Sequence, residues 1–289
     1  MWKTHTSIVK DQICSTISSP SVRERNNMDS HIQLPKQILR HFCDETRSDK
    51  KIHYLDIPTG EIRYASARSL GTAPDYFSEN VERFWDSTVE SPLGVLNKKA
   101  RSFCGGECER LTITVKDVSL AKRYIKSALV RSGVAYDSMV KNSFTAAFCS
   151  EQENHNDLAV FGMNSNGTLE KYLENYTVTV LSNQTERNFV VPRNCFYTIP
   201  FQGETSIVAP ISPKAALLLL PSDVHSTFGS GYAVVDSPEK VEKMNLRALV
   251  DEYIYNSAFV ASNCREELEP LQRYLHENRE DLAILKHQR

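Results

Sequence analysis

His31 is the residue whose position most suggests chemistry. It stands four residues before Pro35 in the stretch HIQLPKQILRHF, His31 to Phe42, where an apolar pattern of helical spacing begins. An imidazole near a helix N-terminus has a lowered pKa, because the positive end of the helix dipole disfavours the imidazolium. His31 is therefore the candidate general base. A second group comprises Arg131, Arg193, Asn194, Ser212 and Lys214. An arginine at a helix end and a Pro-Arg-Asn on a strand could converge on a carboxylate or phosphate, since arginine offers a planar fork of donors. Ser212 and Lys214 flank Pro213 ahead of an apolar strand, a place where loops present polar groups. Each of these residues has a structural alternative. His31 could satisfy backbone groups where helix meets sheet, Arg193 could pair with a helix acid, and Ser-Pro-Lys could be a turn.

Two further clusters carry weaker signals. Glu151, Glu153, His155 and Asp157 are residue types that divalent metals accept, but their spacing matches no metal motif, and such a polar loop is ordinarily solvated. Cys104 and Cys108 bracket Gly-Gly with Cys-x-x-x-Cys spacing, and no second pair follows at zinc-ribbon distance. Cys149 and Cys195 are single thiols with no sequence neighbour that would lower their pKa. The chain has no Gly-x-x-x-x-Gly-Lys-Ser/Thr, no Gly-x-Gly-x-x-Gly after a strand, no Gly-x-Ser-x-Gly and no His-Glu-x-x-His. The common nucleotide-hydrolysing, dinucleotide, hydrolase and zinc-protease classes lose their usual anchors, and the sequence implies no cofactor and no metal.

The elements that must position these groups belong to a chain of 289 residues, 40% hydrophobic and 24% charged. A chain of that length can bury a core without disulfides or metals. The formal net charge of -2 gives no bulk attraction to nucleic acid or to an anionic membrane, though it leaves room for a local basic groove. No apolar run approaches the length of a membrane-spanning helix, and the start lacks a secretory h-region. These features predict a cytosolic protein whose seven cysteines are free thiols. Partners and oligomeric state are not specified by the sequence.

Residues 1–27 are polar and without period, which predicts an extension, and Met28 is a second candidate start. Leu34, Ile38, Leu39 and Phe42 predict a helix with Pro35 in its first turn. Lys51 to Ala67 reads as a β-hairpin turning at Pro58 to Gly60. Val81, Phe84, Trp85 and Val89 form a helical stripe from Ser78, with Ser91-Pro92 as cap and first turn of a continuing or kinked helix. Asp117 is the expected N-cap of the next helix, which Gly133 would end, and Val140, Phe144, Ala147 and Phe148 predict another. From Tyr176 the period alternates. Strands are expected at 176–182, 189–191, 194–200, 206–210, within 212–221, and at 231–235, and Ala215 to Leu220 is apolar enough to be buried on both faces. Val241 to Ala258 predicts one long helix, and Leu268 to Leu285 a charged final one. Segregated runs of this kind indicate an α+β fold: a helical N-terminal and central part with a small hairpin, a late, largely antiparallel sheet, and C-terminal helices. The expected organisation is an extension over 1–27, a single domain over 28–263 and a terminal helix over 264–289.

In this order the segments resemble a prokaryotic family, the domain of unknown function numbered 4238. HIQLPKQILRHF resembles the family's His-x-x-Pro or His-x-x-x-Pro opening and the helix after it, KIHYLDIPTGEI its hairpin, and RYIKSALVRS its Arg-containing central helix. FVVPRNCFYTIP and APISPKAALLLLP resemble its late β-rich segment, and NLRALVDEYIYNSAFVASN its Asn-rich terminal helix. The resemblance covers roughly residues 30–263. Many members carry Ser-Asp-x-Pro on the late strand, where this chain reads PRNCFYTIP. The resemblance implies a fold and no mechanism.

Two functional expectations follow. The first is a domain that binds a ligand or partner through a polar seam between the His31 helix and the late strands. The second is a metal-independent enzyme acting on nucleic acid or a nucleotide, in a defence or mobile-element setting. There His31 would be the base and Arg131, Arg193 and Lys214 the phosphate ligands.

Overall fold

The computed structural model describes residues 29–31, 34–44, 46, 49–74, 77–131, 163, 171, 173–222, 231–255 and 258–288. The fold is α+β. Strand β1 (Asp29–His31) precedes helix α1 (Lys36–His41) and the hairpin β2 (Lys51–Asp56) and β3 (Glu61–Ser66). Strand β4 (Thr72–Pro74) pairs antiparallel with β1, setting His31 opposite Thr72. His31 thus lies in a short strand rather than at the helix N-terminus. The Pro35 carbonyl begins the helix by accepting from Ile38 and Leu39 N–H. The side chain of His31 lies outside the described residues, as do Glu151, Glu153, His155, Asp157 and Cys149, the expected helix around Phe144, and Gly133.

Helices α2 (Glu79–Trp85) and α3 (Ser91–Cys104) are joined without a break by a π turn, Asp86–Glu90. Ser78 caps the start, its Oγ accepting from Val81 N–H. Ser91 caps nothing; it lies inside the helix and its hydroxyl donates to Asp86. Two features of the sequence favour the wide turn. Pro92 has no N–H to give the Thr88 carbonyl, which accepts instead from Arg123 Nη1 at 3.5 Å. Val81, Trp85, Val89 and Leu93, all buried, recur every four residues. In an unbroken α-helix that stripe would drift about 40° per step, and a π turn absorbs the drift.

Helix α4 (Val115–Arg131) is capped reciprocally. Thr114 N–H and hydroxyl donate to Asp117 Oδ2 at 2.9 and 2.7 Å, and Asp117 N–H donates to Thr114 Oγ1. Thr114 is therefore the N-cap, and Asp117 is its partner in the first turn.

The late strands are β5 (Tyr176–Asn183), β6 (Val191–Pro192), β7 (Tyr197–Phe201), β8 (Glu204–Ser212), β9 (Ala215–Pro221) and β10 (Tyr232–Val235). One sheet has the order β10-β5-β9-β8-β7, antiparallel except for the β10–β5 pair. Its central strand β9 is buried on both faces, as its apolar run requires. Leu217 and Leu219 face the cluster formed with α1 to α4, while Leu218 and Leu220 face the C-terminal helices. Pro210 sits in β8 at a bulge, where a missing N–H is tolerated. The bulge leaves the Ile211 carbonyl to accept from the buried Asn97 amide at 2.9 Å, which ties α3 to the sheet.

Helix α5 (Pro238–Tyr255) ends earlier than its apolar pattern predicts, and a strand follows, β11 (Phe259–Ser262). This strand is the centre of a second sheet, β3-β2-β11-β6. The early hairpin is thus half of a sheet completed by residues some 200 positions later. Phe259, Val260, Ala261 and Ser262 are all buried. The final segment is two helices, α6 (Glu269–Glu277) and α7 (Arg279–His287), broken at Asn278. Leu271, Leu275 and Leu282 pack into the same cluster as Val260 and Leu218.

Segment 188–198 is only partly paired in either sheet, and α5 supplies its missing partners. Asn245 accepts from Val190 N–H and donates to the Asn188 carbonyl. Glu252 accepts from Asn194 N–H at 3.0 Å, and Asp251 accepts from Thr198 N–H at 2.7 Å. Arg247 Nε donates to the Thr198 carbonyl and pairs with Asp251.

Candidate functional site

The sequence-expected ligand residues are brought together only in part. Arg193, Asn194 and Cys195 do not lie on a strand. They form a tight turn closed by Cys195 N–H to the Pro192 carbonyl at 2.9 Å, with Cys195 at φ 71. Arg131 approaches this turn from α4: the buried Cys195 thiol lies within electrostatic reach of Arg131, Glu90 and Glu252, with the Tyr124 hydroxyl beside it. Burial, against the influence of Tyr124 and Arg131, pushes the Cys195 thiol up to about 12. A thiol so held is a poor nucleophile.

Arg131 is not open to an external anion. Its Nη1 and Nη2 both donate to Glu90 Oε1 at 3.1 Å, and the guanidinium lies 4.3 Å from the centre of the Trp85 ring. The Arg131 side chain is 1% exposed. Glu90 sits on the π turn, a partner 41 positions away that no local spacing announces. Lys214 is likewise committed. Its Nζ donates to the carbonyls of Thr185 and Arg187 at 2.6 and 2.7 Å, fastening the β5–β6 loop. Burial lowers its pKa, with the Glu267 charge opposing. Ser212 is buried at the end of β8, paired with Ala215. Arg193 is half-buried, and its Nε has no hydrogen-bond partner among the described residues. Helix α1 meets the core through Ile38, Leu39 and Phe42, so its contact with the late sheet is apolar. Cys104 is partly buried, its pKa raised by burial, and Cys108 is exposed with its Sγ against the Arg110 carbonyl. Among the described residues no group of His, Cys, Asp and Glu is arranged to hold a metal ion.

An open cleft lies instead along the flank of α4, with a volume of about 340 Å³. The helix buries Ala121, Tyr124, Ile125 and Ala128 in the core, which turns Lys122, Arg123 and Lys126 toward the cleft. Lys122 Nζ donates to the Glu174 carbonyl and Lys126 Nζ to the Met163 carbonyl, each at 3.0 Å. Those bonds hold two ammonium groups across the gap between α4 and the opposite wall. Lys126 is buried, Lys122 half-buried and Arg123 exposed. Burial lowers the Lys122 pKa, and the Glu174 charge opposes it. Val115, Val118 and Leu173 add an apolar portion, and Val115 is 87% exposed. The volume falls within the usual range of small-molecule sites, and the lining combines apolar surface with a few polar groups. Chemically, such a lining can hold an anion with an apolar body. Lys122, Arg123 and Lys126 are not among the residues expected from the sequence to do chemistry, although Lys126 follows Lys122 by four and Arg123 by three, the spacings that mark one helix flank.

No helix among the described residues is long and apolar enough to cross a membrane. No family model matches the chain, and no curated protein or solved structure matches it either.

Proposed function

We propose that the chain is a cytosolic ligand-binding domain whose site is the α4 cleft and whose ligand is a small anion with an apolar body. The observation that carries this reading is the set of three cations, Lys122, Arg123 and Lys126, on one wall of a cleft that also exposes Val115. The α4 cleft is favoured over the Arg131 and Lys214 positions because the Arg131 side chain is 1% exposed against Glu90 and Lys214 gives two of its three donors to carbonyls, whereas Arg123 is exposed at the cleft and Lys122 gives one of its three donors to the Glu174 carbonyl. The resemblance to the family numbered 4238 belongs to the same proposal and rests on the order of the quoted motifs.

Octanoate and octyl phosphate are suitable probes by isothermal titration, with octanol as the uncharged control. Both anions are expected to bind, and Arg123→Glu and Lys122→Glu to weaken them at least tenfold. Failure of both anions to bind, or equal binding of octanol, overturns the proposal.

A further inference from the structure

Helices α1 and α3 lie side by side on the surface. Gln37 Oε1 is 3.1 Å from the position a Cβ would take on Gly94, and Arg101 Nη1 meets His41 Nδ1 at 2.9 Å. The two contacts advance together along the chain, so the helices run in the same direction. Their buried faces are apolar: Ile38 and Leu39 on α1, and Leu93, Leu96 and Ala100 on α3. Their outer faces carry Lys36, Arg40, Lys98 and Arg101. Arg40, Lys98 and Arg101 are exposed, and Lys36 is half-buried.

Neither helix contains a single Asp or Glu, in a chain that has 36 acidic residues. The only other basic side chain of the Lys/Arg class here, Lys99, points away and pairs with Asp117. Lys36, Arg40, Lys98 and Arg101 form no ion pair among the described residues. Arginine can only donate, so in its bond with His41 Nδ1 is the acceptor, and the contact brings no anion to Arg101. The face therefore presents four cations with no ion-pair partner among the described residues. On a chain of net charge -2 this is a strong local asymmetry of charge.

We propose that the α1–α3 face binds the sugar-phosphate backbone of a nucleic acid without reading its bases. Complementary charge selects a polyanion, and four cations distributed over two adjacent helices can meet several phosphates rather than one. An anionic membrane is the poorer partner. Interfacial helices insert large apolar side chains, whereas the apolar residues of α1 and α3 face the core and only Val95 stands exposed among the cations. The face is separate from the α4 cleft, sharing none of its lining residues.

The test is fluorescence anisotropy of the full chain with a labelled 20-base-pair DNA duplex of arbitrary sequence. Four phosphate contacts predict a salt slope of about -3.6, which is roughly a 100-fold loss of affinity between 50 and 200 mM salt. Replacing Lys36, Arg40, Lys98 and Arg101 together by Glu should abolish binding. The corresponding Gln variant, which removes charge without introducing repulsion, should weaken binding and flatten the slope. Scrambling the duplex sequence should change nothing. Lys286→Glu, on α7, serves as the control and should bind like the native chain. Absence of duplex binding at 50 mM salt, affinity and salt slope unchanged in the Gln variant, or binding to phosphatidylserine vesicles with none to the duplex overturns the proposal.

Discussion

Both terminal nitrogens of Arg131 close on a single oxygen of Glu90, each at 3.1 Å, beneath the ring of Trp85. The pair is unequal in exposure: the arginine side chain is 1% exposed and the glutamate 14%. Removing one partner of a buried ion pair strands the other charge and typically costs about 3–5 kcal/mol. Arg131→Met is expected at the lower end of that range, because Glu90 keeps some access to water. The double variant Arg131→Met/Glu90→Leu should recover much of the loss. Urea denaturation midpoints measure both. As a reference, breaking the exposed Arg265–Glu269 pair should cost less than about 1 kcal/mol. Equal costs at the two pairs would contradict a buried structural role for Arg131.

Asp117 gives an acid-sensitive contribution to stability. Burial pushes its carboxyl up, but the Thr114 N–H, the Thr114 hydroxyl and Lys99 outweigh burial and hold it below the ordinary aspartate range. A carboxyl with a depressed folded pKa contributes stability above its unfolded pKa and loses it as pH falls through the folded one. Asp117→Asn is expected to cost about 1–2 kcal/mol at pH 7, where the cap is complete. The gap from the native chain should narrow progressively below about pH 4. Melting curves from pH 7 to 2.5 check this, and a gap independent of pH refutes it.

Gly60 closes the β2–β3 turn at φ 72, and a Cβ there would lie 2.8 Å from Cε1 of His276 on α6. Gln272, one turn earlier on the same helix, donates to the Gly60 carbonyl at 2.7 Å. Gly60→Ala therefore meets two obstacles, left-handed backbone and the imidazole. It should destabilise by about 1–3 kcal/mol. Adding His276→Ala should relieve the steric part and leave the backbone part. A double-mutant cycle of thermal stability separates the two; strict additivity would mean that α6 does not press on the turn.

Thiol reactivity should follow exposure. Cys108 is exposed, whereas Cys43 and Cys195 are buried and Cys195 is pushed up to about 12 by burial. Among the cysteines of the described residues, iodoacetamide at pH 8 should label Cys108 first and leave Cys195 unmodified until the chain unfolds. Peptide mapping by mass spectrometry reads the order. Early labelling of Cys195 would reveal an opening of the Arg193–Cys195 turn.

Much of the architecture was legible where side-chain period and local chemistry agree. The β2–β3 hairpin and the doubly buried β9 follow directly from alternation, turn residues and an unbroken apolar run. Strand β11 was hidden because Phe259 to Ser262 continues the apolar content of α5, and its strand character comes from pairing with Leu55 and Val191's neighbours far along the chain. The Thr114–Asp117 box is present in the sequence as a Thr-x-x-Asp spacing, so the cap lies three residues before the acid that resembles one. Arg131 was the right kind of residue for an anion, but its anion proved to be Glu90, which only tertiary structure places there. The acid-free sequences of α1 and α3 can be read separately; their adjacency cannot, because it depends on both helices packing on the late sheet.

The π turn between α2 and α3 also sets how the chain tolerates changes in length. It amounts to one residue more than a regular helix needs. Deleting one residue within Asp86–Glu90 would restore regular winding and leave Leu93, Leu96 and Asn97 facing the core as they do now. Deleting Gly94 or Val95, in the regular winding of α3, would instead swing everything downstream by about 100° around the helix axis. Leu96 would leave the core, Asn97 would lose the Ile211 carbonyl, and Lys98 and Arg101 would turn away from α1. A single codon there governs both the packing of the helical layer and the composition of its charged outer face. The π turn takes up a change of one residue as slack, whereas in the flanking helical turns the same change acts as a rotation.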